Sequence, residues 1–371
     1  MQRLLRPLDW ILAALLAFVG LRLLAPFGPA GQAAGAAGLV LLFALMPRSW
    51  WIREGRSVWR VMVPWIATGF FSWLLVLTLA RDVVLLAALA FLAPGEMAAW
   101  TRTSALAVMA LTPAITVVGF LMARAVAAVR HVDVRVDGLP EALEGFTIAQ
   151  ITDVHVGPTI KGDFVQRIVE RVNRLEPDMV AITGDLVDGS VAELSPHTAP
   201  LASLRSRHGT YFVTGNHEYY SGAGAWIAEL RRLGAPVLLN EHEVIEHGGA
   251  RVAIAGVTDY SAHHFHPDHR SDPRRALAGA PADAVKLLLA HQPRSAAHAH
   301  EAGYDLQISG HTHGGQFWPW NLFVRLQQPF TAGLHKLGRM SIYISRGTGY
   351  WGPPMRFGIP SEITRIRLVR A

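Results

Sequence analysis

Residues 146–157 read FTIAQITDVHVG. Phe146 to Ile151 form a short apolar run of the kind that makes a buried strand. The run ends at once in acid and imidazole, Asp153 and then His155. The same arrangement recurs four times. Residues 179–183 (MVAIT) lead into Gly184-Asp185, and 211–214 (YFVT) into Gly215-Asn216-His217. Residues 286–290 (KLLLA) lead into His291, and 306–309 (LQIS) into Gly310-His311-Thr312-His313.

Helical periodicity lies between the runs. Residues 163–176 (DFVQRIVERVNRLE) place Phe164, Ile168, Val172 and Leu175 on one face, and Pro177 ends the helix. Residues 225–233 and 294–302 read as further helices. Residues 131–138, 250–257, 341–347 and 363–370 read as further strands. Strands alternating with helices predict a layered α/β domain. In such folds ligands gather at the carboxyl ends of strands, so five strand ends bearing Asp, Asn or His predict one cluster.

Its chemistry is nitrogen and oxygen only, because the chain has no cysteine. Imidazole suits zinc and iron, and carboxylate suits manganese. Seven candidate ligands, Asp153, His155, Asp185, Asn216, His291, His311 and His313, exceed the four that one structural zinc takes. They fit two divalent cations sharing a carboxylate.

In order, the motifs are D-x-H, G-D-x-x-D, G-N-H-E, a lone His and G-H-x-H. This set resembles the calcineurin-like metallophosphoesterase family over about residues 146–371. The segments GHTHGGQ and SRGTGYWGPPMRFGIPSEI resemble its YkuE/YaeI-like branch, some members of which carry transmembrane helices before the catalytic domain. The resemblance implies a four-layer α/β/β/α sandwich. It implies that Asp153, His155 and His313 hold a first metal, that Asp185 bridges, and that Asn216, His291 and His311 hold a second. His217 takes the place of the catalytic histidine, Asp188 lies behind the ligands, and Arg356 is a candidate for binding substrate phosphate. Two cations would neutralise and orient a phosphodiester and activate water, with manganese, zinc or iron as candidates.

The first 130 residues differ in kind. All 17 histidines occur from His131 onward. The whole chain is 51% hydrophobic and only 17% charged, and its mean hydropathy is positive, which favours a membrane protein. Apolar runs at 9–26, 31–47, 61–80 and 104–123 predict about four transmembrane spans, followed by a domain at 131–371. Residues 83–93 are too short to span alone. They could extend the third span, lie at the interface, or join 94–100 in a fifth.

With four spans, arginines at 3 and 6, at 48, 53, 56 and 60, and at 124 and 130 predict a multi-pass inner-membrane protein with both ends in the cytoplasm, whereas a fifth span would place the catalytic domain outside. No charged pair marks a transport path, so the helices are expected to act as an anchor. The net charge of +6 comes without a basic, aromatic-interleaved stripe, which argues against nucleic acid. No protein partner is implied.

A catalytic domain joined to membrane helices predicts hydrolysis of a phosphodiester or diphosphate in a lipid-linked substrate. Resemblance to members acting on lipid A precursors suggests UDP-2,3-diacylglucosamine. The alternatives are a tethered phosphodiesterase for soluble substrates and a non-enzymatic metal-binding sensor. The histidines at 263, 264, 266 and 269 read as a solvated loop or a lid. The aromatic segment after His313, with Trp318, Trp320, Phe323, Phe330 and Arg325, is either core or an interfacial patch.

Overall fold

The computed structural model describes residues 7–47 and 57–371. It divides into two units. One runs to Arg124 and includes Gly352–Phe357; the other comprises Ala125–Trp351 and Gly358–Ala371. The boundary falls a few residues before the expected 130/131. The first strand begins at Ala128, because it pairs in parallel with the last strand along its whole length, from Ala128↔Glu362 to Val136↔Arg370.

Among the described residues, the first unit contains four α-helices: α1 (Pro7–Leu24), α2 (Pro29–Leu45), α3 (Val58–Ala88) and α4 (Pro94–Arg124). Three of them, α1, α3 and α4, are long and apolar enough to cross a membrane. The second expected span forms α2, which has 17 residues against the roughly 20 that a span needs. The awkward 83–93 run is resolved: residues 83–88 continue α3, and 94–100 open α4. No fifth helix precedes the α/β domain among the described residues. The arginines at 3, 6, 48, 53 and 56, on which the orientation rests, lie outside the described residues.

A charged tie that the sequence does not announce joins these helices. Arg22 Nε of α1 lies 2.7 Å from Asp82 Oδ2 of α3. Buried Arg81 reaches Asp82 Oδ1 at 3.1 Å, Ser104 Oγ at 3.0 Å and the Thr101 carbonyl at 2.9 Å, so α3 is held to α4 as well. Arg22 and Asp82 stand 60 residues apart, which hides the pair from a reading along the chain. Charge among apolar helices persists only when paired in this way.

The second unit begins with β1 (Ala128–Val136), β2 (Thr147–Ile151), α5 (Gly162–Asn173), β3 (Met179–Ile182), α6 (Val191–Thr198), β4 (Thr210–Phe212), α7 (Asn216–Tyr220) and α8 (Ala223–Arg232). Then follow β5 (Glu241–His247), β6 (Ala250–Gly256), α9 (Pro273–Ala276), β7 (Val285–Leu289), α10 (Ala296–Ala302), β8 (Leu306–Ser309), β9 (Gly333–Leu337), β10 (Met340–Ile344) and β11 (Glu362–Arg370). They build two sheets, ordered β1-β11-β2-β3-β4 and β5-β6-β7-β8-β10-β9.

Inner faces of both sheets share one apolar core, in which Ile148, Met179 and Tyr211 of the first meet Ile254, Leu287 and Ile308 of the second. The outer face of the second sheet packs Ala255, Leu288 and Ile342 against Ala276 of α9 and Ala296 and Ala299 of α10. In α5, Phe164, Ile168 and Val172 are buried along the expected face, and β2 is buried at every position. This gives helix, sheet, sheet and helix layers.

Strands β2, β3 and β4 run parallel, as do β6, β7 and β8. Parallel pairing brings their carboxyl ends to a common edge of each sheet, where Asp153, Asp185, Asn216, His291 and His311 follow.

Candidate metal centre

Backbone hydrogen bonds stitch the strand-end loops together. Asp153 N–H donates to the Gly184 carbonyl and His155 N–H to the Asp185 carbonyl, at 3.0 and 3.2 Å. Gly310 N–H donates to the His291 carbonyl at 3.0 Å. Five candidate ligands, Asp153, His155, Asp185, His311 and His313, have positive φ of 50–70°. L-residues avoid this region, at a cost of about 1–3 kcal/mol each where the surroundings impose it, and such residues cluster at functional sites. Two glycines make the close approach possible. A Cβ on Gly215 would collide with Asp185 Oδ1, and one on Gly310 with Asp153 Oδ2.

The side chains converge in three groups: Asp153 with His155 and His313, Asp185 with His291 and His311, and His155 with Asp188 and His217. His155 Nε2 lies 3.0 Å from His313 Nε2, which is 3.4 Å from Asp153 Oδ1. His291 Nε2 lies 3.0 Å from Asp185 Oδ2 and 3.2 Å from His311 Nδ1. Asp188 sits between two rings, with Oδ1 3.1 Å from His155 Nδ1 and 2.5 Å from His217 Nδ1. His217 Nε2 is 3.9 Å from Asp185 Oδ2, and its N–H donates to Asp185 Oδ1 at 2.9 Å.

Three observations test whether these residues fit cations. First, His291 Nδ1 donates to the Thr183 carbonyl at 2.8 Å, which leaves Nε2 as the lone-pair atom facing the Asp185 carboxylate. Two acceptors at that distance repel unless positive charge, a proton or a metal, lies with them. Second, His155 is in the same position: Nδ1 donates to Asp188, and the Nε2 lone pair turns toward His313 and Asp153. Such second partners fix the tautomer of metal-binding imidazoles. Third, Asn216 is buried, and its Oδ1 has no hydrogen-bond partner among the described residues. An orphaned buried oxygen is costly unless a ligand completes it. The donor set fits divalent cations.

The electrostatics agree. Burial opposes charge on both Asp185 and His291. Their mutual attraction outweighs it, holding Asp185 well below the usual carboxylate range and raising His291 well above the usual imidazole value. Burial raises Asp153. Burial and the neighbouring His291 push His311 down to about 3, so it stands as a neutral imidazole. Burial would lower His217, but Asp185 and Asp188 outweigh it and push it up to about 9.

Arg356 lies fully buried in Gly352–Phe357, and its N–H donates to the Gly119 carbonyl at 3.0 Å. The loop with His263 to His269 docks on α7 through His269 Nδ1, 2.8 Å from Tyr219 Oη.

Sequence reasoning gave Glu218 no role. Its carboxylate is buried and accepts N–H bonds from Asp185, Leu186, Val187 and Gly215 at 2.7–3.3 Å. It clamps the loop after β3 to the loop after β4. The signal was its place in G-N-H-E, three residues past the glycine that opens α7, where an acidic side chain can fold back on the helix start.

Residues 146–315 match the family model described as calcineurin-like phosphoesterase. An uncharacterized metallophosphoesterase of Aquifex aeolicus is 32% identical over 237 residues, 63% of this chain and 89% of that protein. The chain belongs to the calcineurin-like metallophosphoesterase family. A Bos taurus transmembrane protein with metallophosphoesterase domain is 43% identical over 278 residues, 72% of this chain. This chain spans 62% of the length of that relative. The Bacillus subtilis metallophosphoesterase YkuE is 27% identical over 239 residues, 62% of this chain and 81% of that protein.

Proposed function

We propose that the chain is a membrane-anchored, metal-dependent phosphoesterase that hydrolyses a phosphodiester or diphosphate bond, with two divalent cations as cofactor. Asp153, His155 and His313 hold one cation, and Asn216, His291 and His311 the other, with Asp185 between them. The carrying observation is the pair of imidazole Nε2 atoms turned inward beside carboxylates, with the orphaned Asn216 Oδ1. When bound, the cations neutralise the phosphoryl charge and lower the pKa of water.

The chain's own residues supply the rest. Asp188 accepts the Nδ1 proton of His217 and so points Nε2 into the site. That nitrogen can hold a proton for the leaving oxygen. Asp188 also fixes His155, so one carboxylate sets the orientation of a metal ligand and of the acid together.

Helices long enough to span a membrane support a lipid-linked phosphoester as substrate, and UDP-2,3-diacylglucosamine is the first candidate to assay. The side of the membrane on which the domain lies follows from whether α2 crosses.

The test is hydrolysis of bis-p-nitrophenyl phosphate by the full chain, before and after chelation and after return of manganese. We expect activity that chelation abolishes and manganese restores. His217→Ala should retain its metal and lose about 10²–10⁴ in turnover, the usual contribution of a positioned acid. Metal-loaded protein inactive on every phosphoester tried would refute the reading.

A further inference from the structure

The segment that follows His313 is built inside out. Several of its polar groups bond to the protein beneath. Thr312 Oγ1 donates to the Thr331 carbonyl at 2.6 Å, and buried Gln328 donates to Gln292 Oε1 at 3.2 Å. Arg294 donates to the Gln327 carbonyl from Nε and Nη2, at 3.0 and 2.6 Å. Its apolar groups face outward on the two short turns 320–322 and 324–326. Leu322 is 63% exposed, Phe323 52% and Leu326 82%, with the exposed cation Arg325 among them and half-exposed Trp318 and Trp320 before them.

A loop meeting water would show the opposite pattern. Scattered exposed apolar residues are common, but a contiguous set over a hydrogen-bonded polar base marks a contact surface. The base adjoins the candidate metal centre: Gln292 follows His291, and Thr312 lies between His311 and His313.

We propose that residues 318–326 are a bilayer-contact surface, inserted at the headgroup–acyl boundary, which presents the metal centre to phosphoesters carried by membrane lipids. The second clause rests on the proposed phosphoesterase reading; the first does not. A lipid surface is favoured over a protein partner because the same chain carries helices that can span a membrane, so this domain works within reach of a bilayer. The chemistry also fits. Tryptophans and an arginine beside protruding Leu and Phe match the layered polarity of an interface, where amphipathic rings and cationic heads sit above buried aliphatic groups.

Because the chain has no cysteine, single labels can be placed cleanly. Leu322→Cys, Phe323→Cys and Leu326→Cys, each carrying a nitroxide, would be read by power saturation in the full chain. The protein would be reconstituted in phosphatidylcholine–phosphatidylglycerol vesicles. The expected result is greater accessibility to oxygen than to a water-soluble nickel chelate, reversed at a control label at exposed Glu246 on β5. Labels as open to nickel as the control overturn the proposal. Labels shielded from both reagents also overturn it, in favour of a second copy or another protein.

In a second arm, Leu322→Ser combined with Leu326→Ser is assayed in the same vesicles. The substrates are a diacyl phosphodiester with a p-nitrophenol leaving group and soluble bis-p-nitrophenyl phosphate. The ratio of lipid-borne to soluble rates should fall about tenfold or more, the scale of two lost apolar insertions. An unchanged ratio removes the substrate clause. If wild-type protein hydrolyses neither probe, the phosphoesterase reading itself fails, and the labels still decide the surface.

Discussion

A single carboxylate can do more than its place in a motif suggests. Asp188 lies behind the candidate ligands and touches both His155 and His217. Removing its charge should therefore loosen a ligand and misalign the acid at once. Asp188→Asn is expected to lower turnover about 10–100-fold, the usual effect of losing an outer partner of a metal-bound imidazole, while the fold is retained. Steady-state kinetics and thermal unfolding measured together check this; unchanged kinetics would show that the short contact to His217 has no role. Asp188 was legible as an adjunct because G-D-x-x-D is contiguous in sequence. Its double contact was not, since His155 and His217 approach it from two other loops. Glu218 was given no role: its place in G-N-H-E signals the bond to Gly215, but its bonds to the N–H groups of residues 185–187 in another loop show in no sequence pattern.

At the level of elements, what could be read depended on burial. The strands that end in ligands are mostly apolar and buried, so their runs stood out, and β2, β3, β7 and β8 formed where the pattern placed them. The strands β5 (EHEVIEH) and β9 (GLHKL) were missed. They are the outer strands of the second sheet, and their residues are exposed or half-buried. Edge strands need not be apolar on both faces, so their sequences resemble loops. In the helical unit, the 83–93 run was ambiguous because composition cannot distinguish one long helix from two short ones.

The junctions between elements carry the site, and Glu218 is the strongest of them. Glu218→Gln places an amide NH₂ among four backbone N–H donors. It is expected to cost about 1–3 kcal/mol of stability, the range for leaving buried polar groups unpaired. Chemical denaturation measures that loss directly, and a stability equal to wild type would contradict the clamp.

For the whole molecule, the two sheets have distinct tasks at one centre. The first sheet supplies Asp153, His155, Asp185 and Asn216, and the second supplies His291, His311 and His313. Their shared core fixes the two sets against each other. Neither sheet alone holds all the candidate ligands, which ties the proposed metal binding to the folded domain and makes the number of bound ions the central quantity. The direct measurement is metal content by inductively coupled plasma mass spectrometry. The purified chain would be equilibrated with manganese and then freed of excess ion. The account predicts about two ions per chain, the number that shares a bridging carboxylate in dinuclear hydrolases. One ion per chain, or none, would contradict it.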